Sequence, residues 1–131
     1  MISKLFKIII GCILLSQVAP AQTQGTLNQM AKDGYEATER ELNQTYQALL
    51  KQYAADTVFI TAVRVAQRTW IKFRDAELAM MYPAHHTGGS ALPMCKAAYL
   101  ETLTRQRIST LRQWVDGMPE GDLCQGSIRN K

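Results

Sequence analysis

The stretch "AQRTWIKFRDAE", from Ala66 to Glu77, decides the fold because it mixes two large aromatic side chains with three basic and two acidic ones. On a helix, Ala66, Trp70 and Phe73 lie three and four residues apart and share one apolar face. A tryptophan and a phenylalanine at helical spacing are typical of a core. The stretch therefore predicts a helix whose aromatic face packs inside a bundle.

Polar residues at the margin of this face, such as Arg74, would be covered by neighbouring helices and would need partners. We expect Arg74 to pair with Glu41 or Asn43 on the preceding helix, because a guanidinium can bridge several acceptors. We expect Asp75 to pair with Arg107 on the following helix. This predicted polar lock has a structural role, and its members are Glu41, Asn43, Gln67, Arg74, Asp75 and Arg107.

The pattern around this stretch predicts two long helices. The helix that contains it runs from about Val58 to Met81, with Asp56 or Thr57 as its cap and Pro83 as its end. The preceding helix runs from Thr26 to Tyr53, and its apolar residues have helical spacing. These residues are Leu27, Met30, Ala31, Tyr35, Leu42, Tyr46, Leu49, Leu50 and Tyr53.

A third helix is predicted from about Met94 to Val115, and Gly117 and Pro119 end it. Its inward residues are Ala97, Leu100, Leu103, Leu111 and Trp114. No strand-like alternation stands out. We predict an all-α fold, a small bundle of two long antiparallel helices with a third helix packed across them. Residues 22–131 form this single domain, with a polar tail from about residue 117.

The first 21 residues are typical of a secretory signal peptide. Lys4 and Lys7 precede a short apolar run, and Ala19-Pro20-Ala21 is a small-residue cleavage pattern, so we expect cleavage after Ala21. A lipoprotein anchor on Cys12 is the alternative, which we rank lower because few apolar residues precede this cysteine. The run is too short to span a bilayer. We therefore predict an exported protein without stable membrane insertion.

Charge argues against nucleic-acid binding. The formal net charge of the chain is +4, and loss of Lys4 and Lys7 leaves 13 basic against 11 acidic residues, which is +2. No block of lysine and arginine residues forms the basic stripe that binding to phosphates needs. A solvated surface of mixed charge is the interpretation that we favour.

Two cysteines remain after cleavage, Cys95 and Cys124. An even number of cysteines in an oxidising compartment makes a disulfide plausible, and a cross-link between two chains is the alternative. The intervening helix is a geometric objection, since the tail must double back along it to bring the two cysteines together.

The segment between the second and third helices, "HHTGGSALP", is a loop rich in glycine. His85 and His86 could ligate a metal, but adjacent histidines usually point apart and no further ligand has a recognised spacing. We predict no metal, no cofactor and no enzymatic site. The candidate interaction loop consists of His85, His86, Gly88, Gly89 and Ser90.

Six segments, in order, resemble the DUF1311 family, also called the lysozyme inhibitor LprI-like N-terminal domain. They are "TQGTLN" from Thr23, "ELNQTYQALL" from Glu41, "AQRTWIKFRDAE" from Ala66, "GGS" from Gly88, "PM" at Pro93 and "LTRQR" from Leu103. The resemblance implies a small exported bacterial domain, helical and located in the periplasm or secreted, and the family's named member inhibits lysozyme. Relatives typically carry cysteines where this chain has Met30, Leu78 and Tyr99, so the usual disulfide framework is absent here.

These observations leave three hypotheses open. The first is a non-enzymatic protein that inhibits lysozyme or another cell-wall hydrolase by inserting the loop from Tyr82 to Pro93 into a cleft with two catalytic carboxylates. The second is a helical envelope interaction or assembly module that contacts an unknown partner through Arg64, Arg68 and Lys72. The third is an immunity protein against a wall-degrading toxin.

Overall fold

The computed structural model describes residues 23–131 and contains three long α-helices. They are α1 (Gln24–Gln52), α2 (Thr57–Met81) and α3 (Leu92–Asp116), with a short 3-10 turn (Gly89–Ala91) before α3. No strand occurs within these residues, and the predicted all-α class is confirmed. The predicted signal peptide and the alternative anchor at Cys12 lie outside the described residues.

Side-chain caps fix where the first two helices begin. The Thr23 hydroxyl accepts a hydrogen bond from the backbone N–H of Thr26 at 3.2 Å, so α1 begins before Thr26, the predicted first residue of this helix. The Asp56 carboxylate accepts one from the backbone N–H of Phe59 at 2.9 Å, as the sequence predicted. Both contacts satisfy N–H groups that a helix leaves without partners.

The most extensive packing joins α1 to α3. These two helices run in the same direction, because the start of α1 contacts the start of α3 and their ends also meet. Asn28 donates to the backbone oxygen of Ser90 at 2.9 Å, and Gln52 donates to that of Trp114 at 3.2 Å. Gly34 permits a close approach midway, since a Cβ atom there would lie 3.0 Å from a carboxylate oxygen of Glu101.

The core lies between the three helices. Its buried apolar residues form one cluster, which Tyr46, Leu50, Phe59, Trp70, Trp114 and Val115 partly cover. Two small polar residues, Thr38 and Thr104, are fully buried, and their hydroxyls bond to the backbone oxygen of Gly34 and to Glu39. The cluster consists of Leu42, Leu49, Tyr53, Ile60, Val63, Ile108 and Leu111.

The buried face of α2 differs from the predicted one. We predicted Ala66 and Phe73 in the core, but Ala66 is exposed and Phe73 is 53% exposed. The buried residues of α2 are Ile60, Val63, Gln67 and Arg74. The helix is therefore rotated toward its polar residues, so that Gln67 and Arg74 lie within the buried face rather than at its margin.

The segment after α3 folds back over the end of the bundle. Ile128 is buried, and an isolated bridge joins Met118 to Asn130. The backbone N–H of Arg129 donates to the Tyr53 hydroxyl at 3.3 Å, and its guanidinium lies 4.2 Å from the centre of the Tyr53 ring. The tail is thus held by apolar and polar contacts rather than by a disulfide through Cys124.

The disulfide that the sequence made plausible between Cys95 and Cys124 is not formed in this structure, where both thiols are free. Cys95 lies in the first turn of α3, whereas Cys124 is exposed in the segment that follows the other end of this helix. About 30 Å of helix lies between Cys95 and the end of α3, at a rise of 1.5 Å per residue. Because the tail folds onto the far end of α3, it does not return to Cys95.

Candidate functional site

A polar cluster occupies the middle of the bundle, where α2 meets α1 and α3. The Arg74 guanidinium donates to the Glu39 carboxylate at 2.8 Å and to the Asp75 carboxylate at 3.2 Å. The same Glu39 oxygen accepts a hydrogen bond from the Thr104 hydroxyl at 3.2 Å. The side chain of Arg74 is only 10% exposed, while that of Glu39 is 36% exposed. Glu39 thus links residues of all three helices.

Two pKa shifts reflect this arrangement. Burial alone would lower the pKa of Arg74, but the negative charge of Glu39 and the hydrogen bonds to both carboxylates outweigh it, so that its pKa is raised. Burial raises the pKa of the Tyr35 hydroxyl, and the charge of Glu39 adds to this effect against the opposing charge of Arg74. Arg74 is therefore a permanent buried cation, and Tyr35 is held neutral.

A second guanidinium, Arg107 of α3, lies in a different environment. Its Nε–H donates to the side-chain oxygen of Gln67 at 2.9 Å. Arg107 and Arg74 both lie against the Trp70 ring, at 5.8 Å and 5.3 Å from its centre. Within residues 23–131, no carboxylate forms an ion pair with Arg107, and burial lowers its pKa.

The pairs found in the structure differ from those expected for the predicted polar lock. Arg74 pairs with Glu39 rather than with Glu41 or Asn43, because Glu39 and Glu41 point to different sides of α1. Glu41 instead pairs with Arg112 at 2.7 Å, and Asn43 is exposed.

The predicted pair of Asp75 and Arg107 is also wrong. Asp75 is bound by Arg74 of its own helix, and Arg107 is bound by Gln67. The cause is the rotation of α2, which turns Gln67 toward α3 and leaves the Asp75 side chain 63% exposed.

The candidate interaction loop has an anchored base and an exposed tip. His85, His86, Gly89 and Ser90 are exposed, and Gly88 is half-buried. The Tyr82 ring packs edge-on against the rings of His86 and Tyr99, whose centres are 5.6 and 6.1 Å away.

The two glycines of this loop adopt positions that other residues would not tolerate. Gly89 has a φ of +61°, which favours glycine. A Cβ atom on Gly88 would lie 2.9 Å from the Leu92 side chain. The Tyr99 hydroxyl donates to Glu77 at 3.1 Å and so ties α3 to α2 beside the loop. Within residues 23–131, no group of three or more His, Cys, Asp or Glu side chains is arranged to hold a metal ion.

An open apolar groove of ≈ 190 Å³ lies between α2 and α3. The two helices touch sparingly here, and the small side chains Ala62 and Ala66 leave space between them. Arg107 is the single charged residue of the lining. The sequence did not point to this groove, because Ala66 was assigned to the core. The groove is lined by Leu49, Phe59, Ala62, Val63, Ala66, Arg107, Leu111 and Trp114.

The exposed part of α2 carries two further features. Arg64, Arg68 and Lys72 are exposed and four residues apart, so they form a basic row on one side of the helix. Large apolar side chains are exposed on another side. They are Val58, Val65, Phe73 and Met80. No helix within residues 23–131 has both the length and the apolar character that crossing a membrane requires.

Comparison with known proteins identifies relatives of this chain. The family model described as "Lysozyme inhibitor LprI" matches residues 16–111. An uncharacterized protein of Rhizobium meliloti (strain 1021) is 32% identical over 108 residues, which cover 73% of this chain and 76% of that protein. No solved structure matches the chain significantly.

Proposed function

The chain belongs to the LprI family of lysozyme inhibitors, and from this premise we propose that it is an exported, non-enzymatic binding protein that inhibits a lysozyme-type cell-wall hydrolase. The observation that carries the proposal is the extent of the family match, which includes α1, α2 and most of α3. The partner is a protein, and its contact surface must be presented by the helical framework described above.

The loop between α2 and α3 is the contact that we propose. Lysozyme-type enzymes have a cleft with two catalytic carboxylates, and N–H donors that enter this cleft would bind them. His85 and His86 are exposed and carry such donors. The anchoring of the loop by Tyr82 and by the contact of Asn28 with Ser90 supports this role, because a loop that is already ordered loses less entropy on binding.

The test is lysis of bacterial cell walls by a muramidase, followed as loss of turbidity in the presence of the purified protein. We expect the unaltered protein to slow lysis, and we expect the double variant His85→Ala/His86→Ala to lose at least tenfold in inhibitory potency. Full lysis at a large molar excess of folded protein, tested across the main lysozyme classes, would overturn the proposed function.

A matched control separates the loop from the rest of the surface. The triple variant Arg64→Glu/Arg68→Glu/Lys72→Glu changes the basic row of α2, which is exposed like the loop. We expect it to inhibit as well as the unaltered protein. Loss of inhibition in this variant, with full inhibition by the histidine variant, would show that the contact surface lies on α2 and not on the loop.

Export is the second part of the proposal. We propose that the signal peptide is removed after Ala21 and that the mature protein acts in the periplasm or outside the cell, where its target is found. Intact mass of the protein purified from the periplasm tests this. A chain that begins at Gln22 is the expected result, and a diacylated chain that begins at Cys12 would contradict it.

A further inference from the structure

The groove between α2 and α3 combines apolar walls with one half-buried cation. Phe59, Val63, Leu111 and Trp114 supply large apolar surfaces, and the only charge in the lining is that of Arg107. Small-molecule sites are typically concave and apolar, with a few polar groups that fix the orientation of the ligand. The composition of this groove therefore suits a ligand with an apolar body and one anionic end.

Arg107 has capacity for such an anion. Of its five N–H donors, only the Nε–H is used within residues 23–131, by the side-chain oxygen of Gln67 at 2.9 Å. The terminal nitrogens, which match a carboxylate in geometry, have no protein acceptor in this part of the chain. Arg74 shows the contrast, because two carboxylates already occupy its guanidinium. Arg107 is thus a half-buried cation that has no carboxylate partner within residues 23–131.

We propose that this groove binds an unbranched aliphatic carboxylate, with its chain between Phe59 and Trp114 and its carboxylate on Arg107. A peptide strand fits less well, because the lining offers its backbone groups no partner other than Arg107. An acyl chain has no such groups. The size of the groove, ≈ 190 Å³, suits a chain of short to medium length. This inference does not depend on inhibition of a hydrolase.

The test is a titration of the purified protein with octanoate, octanol and octyltrimethylammonium at matched concentrations below micelle formation. Binding is followed by calorimetry and by tryptophan fluorescence, since Trp114 lines the groove and Trp70 lies against Arg107. We expect saturable binding of octanoate, binding of octanol at least tenfold weaker, and no saturable binding of the cation. From butanoate to octanoate, each methylene should tighten binding about fourfold until the groove is full.

Two variants test the two halves of the site. Arg107→Gln removes the cation and should weaken octanoate at least tenfold while leaving octanol unchanged. Ala66→Phe fills the groove from an exposed position of α2 and should abolish binding of both ligands. Circular dichroism checks that each variant is folded, and Ala62→Leu replaces Ala66→Phe if that variant is not.

Three outcomes would overturn the proposal. One is equal affinity for octanoate and octanol, which would show that Arg107 does not favour a carboxylate over a hydroxyl group. Another is unchanged octanoate binding by Arg107→Gln. The third is the absence of saturable binding by any of the carboxylates, which would show that the groove does not take an aliphatic anion.

Discussion

At the scale of single residues, Glu39 matters most, because its carboxylate connects the three helices. It accepts hydrogen bonds from Arg74 at 2.8 Å and from Thr104 at 3.2 Å, whereas the second carboxylate on Arg74, that of Asp75, is 63% exposed. A buried cation that loses its partner is costly, but an exposed ion pair contributes little. The two carboxylates on the same guanidinium should therefore differ in their effect on stability.

We predict that Glu39→Gln lowers the free energy of unfolding by about 1–3 kcal/mol, because Arg74 then keeps its charge without its main partner. Asp75→Asn is the matched control and should cost less than about 1 kcal/mol. Urea denaturation followed by circular dichroism measures both. Equal costs for the two variants would contradict the assignment of Glu39 as the main partner.

Tyr35 provides a prediction about pH. Its pKa is raised in the folded protein, by burial first and then by the charge of Glu39. Above the ordinary tyrosine pKa of about 10, the unfolded chain releases this proton more readily than the folded protein does, so stability falls as pH rises. The stabilising contribution of Tyr35 is fully present below a pH of about 10, and it is lost as the pH rises through the raised pKa of Tyr35 in the folded protein.

The variant Tyr35→Phe should therefore lose less stability than the unaltered protein between pH 9 and 11. Urea denaturation at a series of pH values gives this difference, and Tyr46→Phe is a control on the same helix. Parallel stability curves for Tyr35→Phe and the unaltered protein would show that Tyr35 is not held neutral.

At the scale of elements, α2 shows what a periodic pattern can and cannot determine. The spacing of apolar residues correctly predicted a helix and its Asp56 cap. It placed Phe73 inside, because aromatic residues at helical spacing favour a core. The structure instead buries Arg74, whose cost of burial is offset by Glu39 on another helix. Such a partner lies 35 residues away, so the local pattern contains no sign of it.

The rotation of α2 can be tested with one pair of variants. Val63→Ala should lower the free energy of unfolding by about 1–3 kcal/mol, because Val63 belongs to the buried cluster. Phe73→Ser should cost less than about 1 kcal/mol, because Phe73 is 53% exposed and serine has a similar helix propensity. Thermal or urea unfolding gives both values. A larger loss of stability for Phe73→Ser than for Val63→Ala would instead support the buried face that the sequence predicted.

At the scale of the whole molecule, the path of the chain explains the free thiols. Helices α1 and α3 run in the same direction, and the tail emerges at the end of α3, far from Cys95 in its first turn. The even number of cysteines suggested a disulfide between Cys95 and Cys124. The sequence alone does not show on which end of α3 the tail packs. The position of the loop between α2 and α3, by contrast, was predictable, since Gly88-Gly89 between two helical patterns marks a turn.

We predict that the processed protein, purified without reductant and denatured, reacts with two equivalents of a colorimetric thiol reagent. In the folded protein Cys124 should react faster than Cys95, because Cys124 is exposed and Cys95 is half-buried. The variant Cys124→Ser is the control and should remove the fast phase. A monomer without reactive thiols would contradict the separation of the two cysteines described here.

The tail completes the fold, and its contribution can be measured against a control within the tail itself. Ile128 is buried at the end of the bundle, where Arg129 packs on Tyr53, while Leu123 is 100% exposed. Truncating a buried isoleucine removes apolar contacts and leaves a cavity. Ile128→Ala should therefore lower the free energy of unfolding by about 2–3 kcal/mol, and Leu123→Ala should change it by less than about 0.5 kcal/mol.

Urea denaturation of the two variants, with the thiols kept reduced, measures this difference. Reduction removes any stabilisation by a cross-link, so an effect that persists comes from packing alone. Equal stability of the two variants would mean that the tail is a solvated appendage, as its polar composition suggested. A selective loss in Ile128→Ala would show that the packing of this apolar residue against the end of the bundle stabilises the fold, beside the contacts of Arg129 with Tyr53.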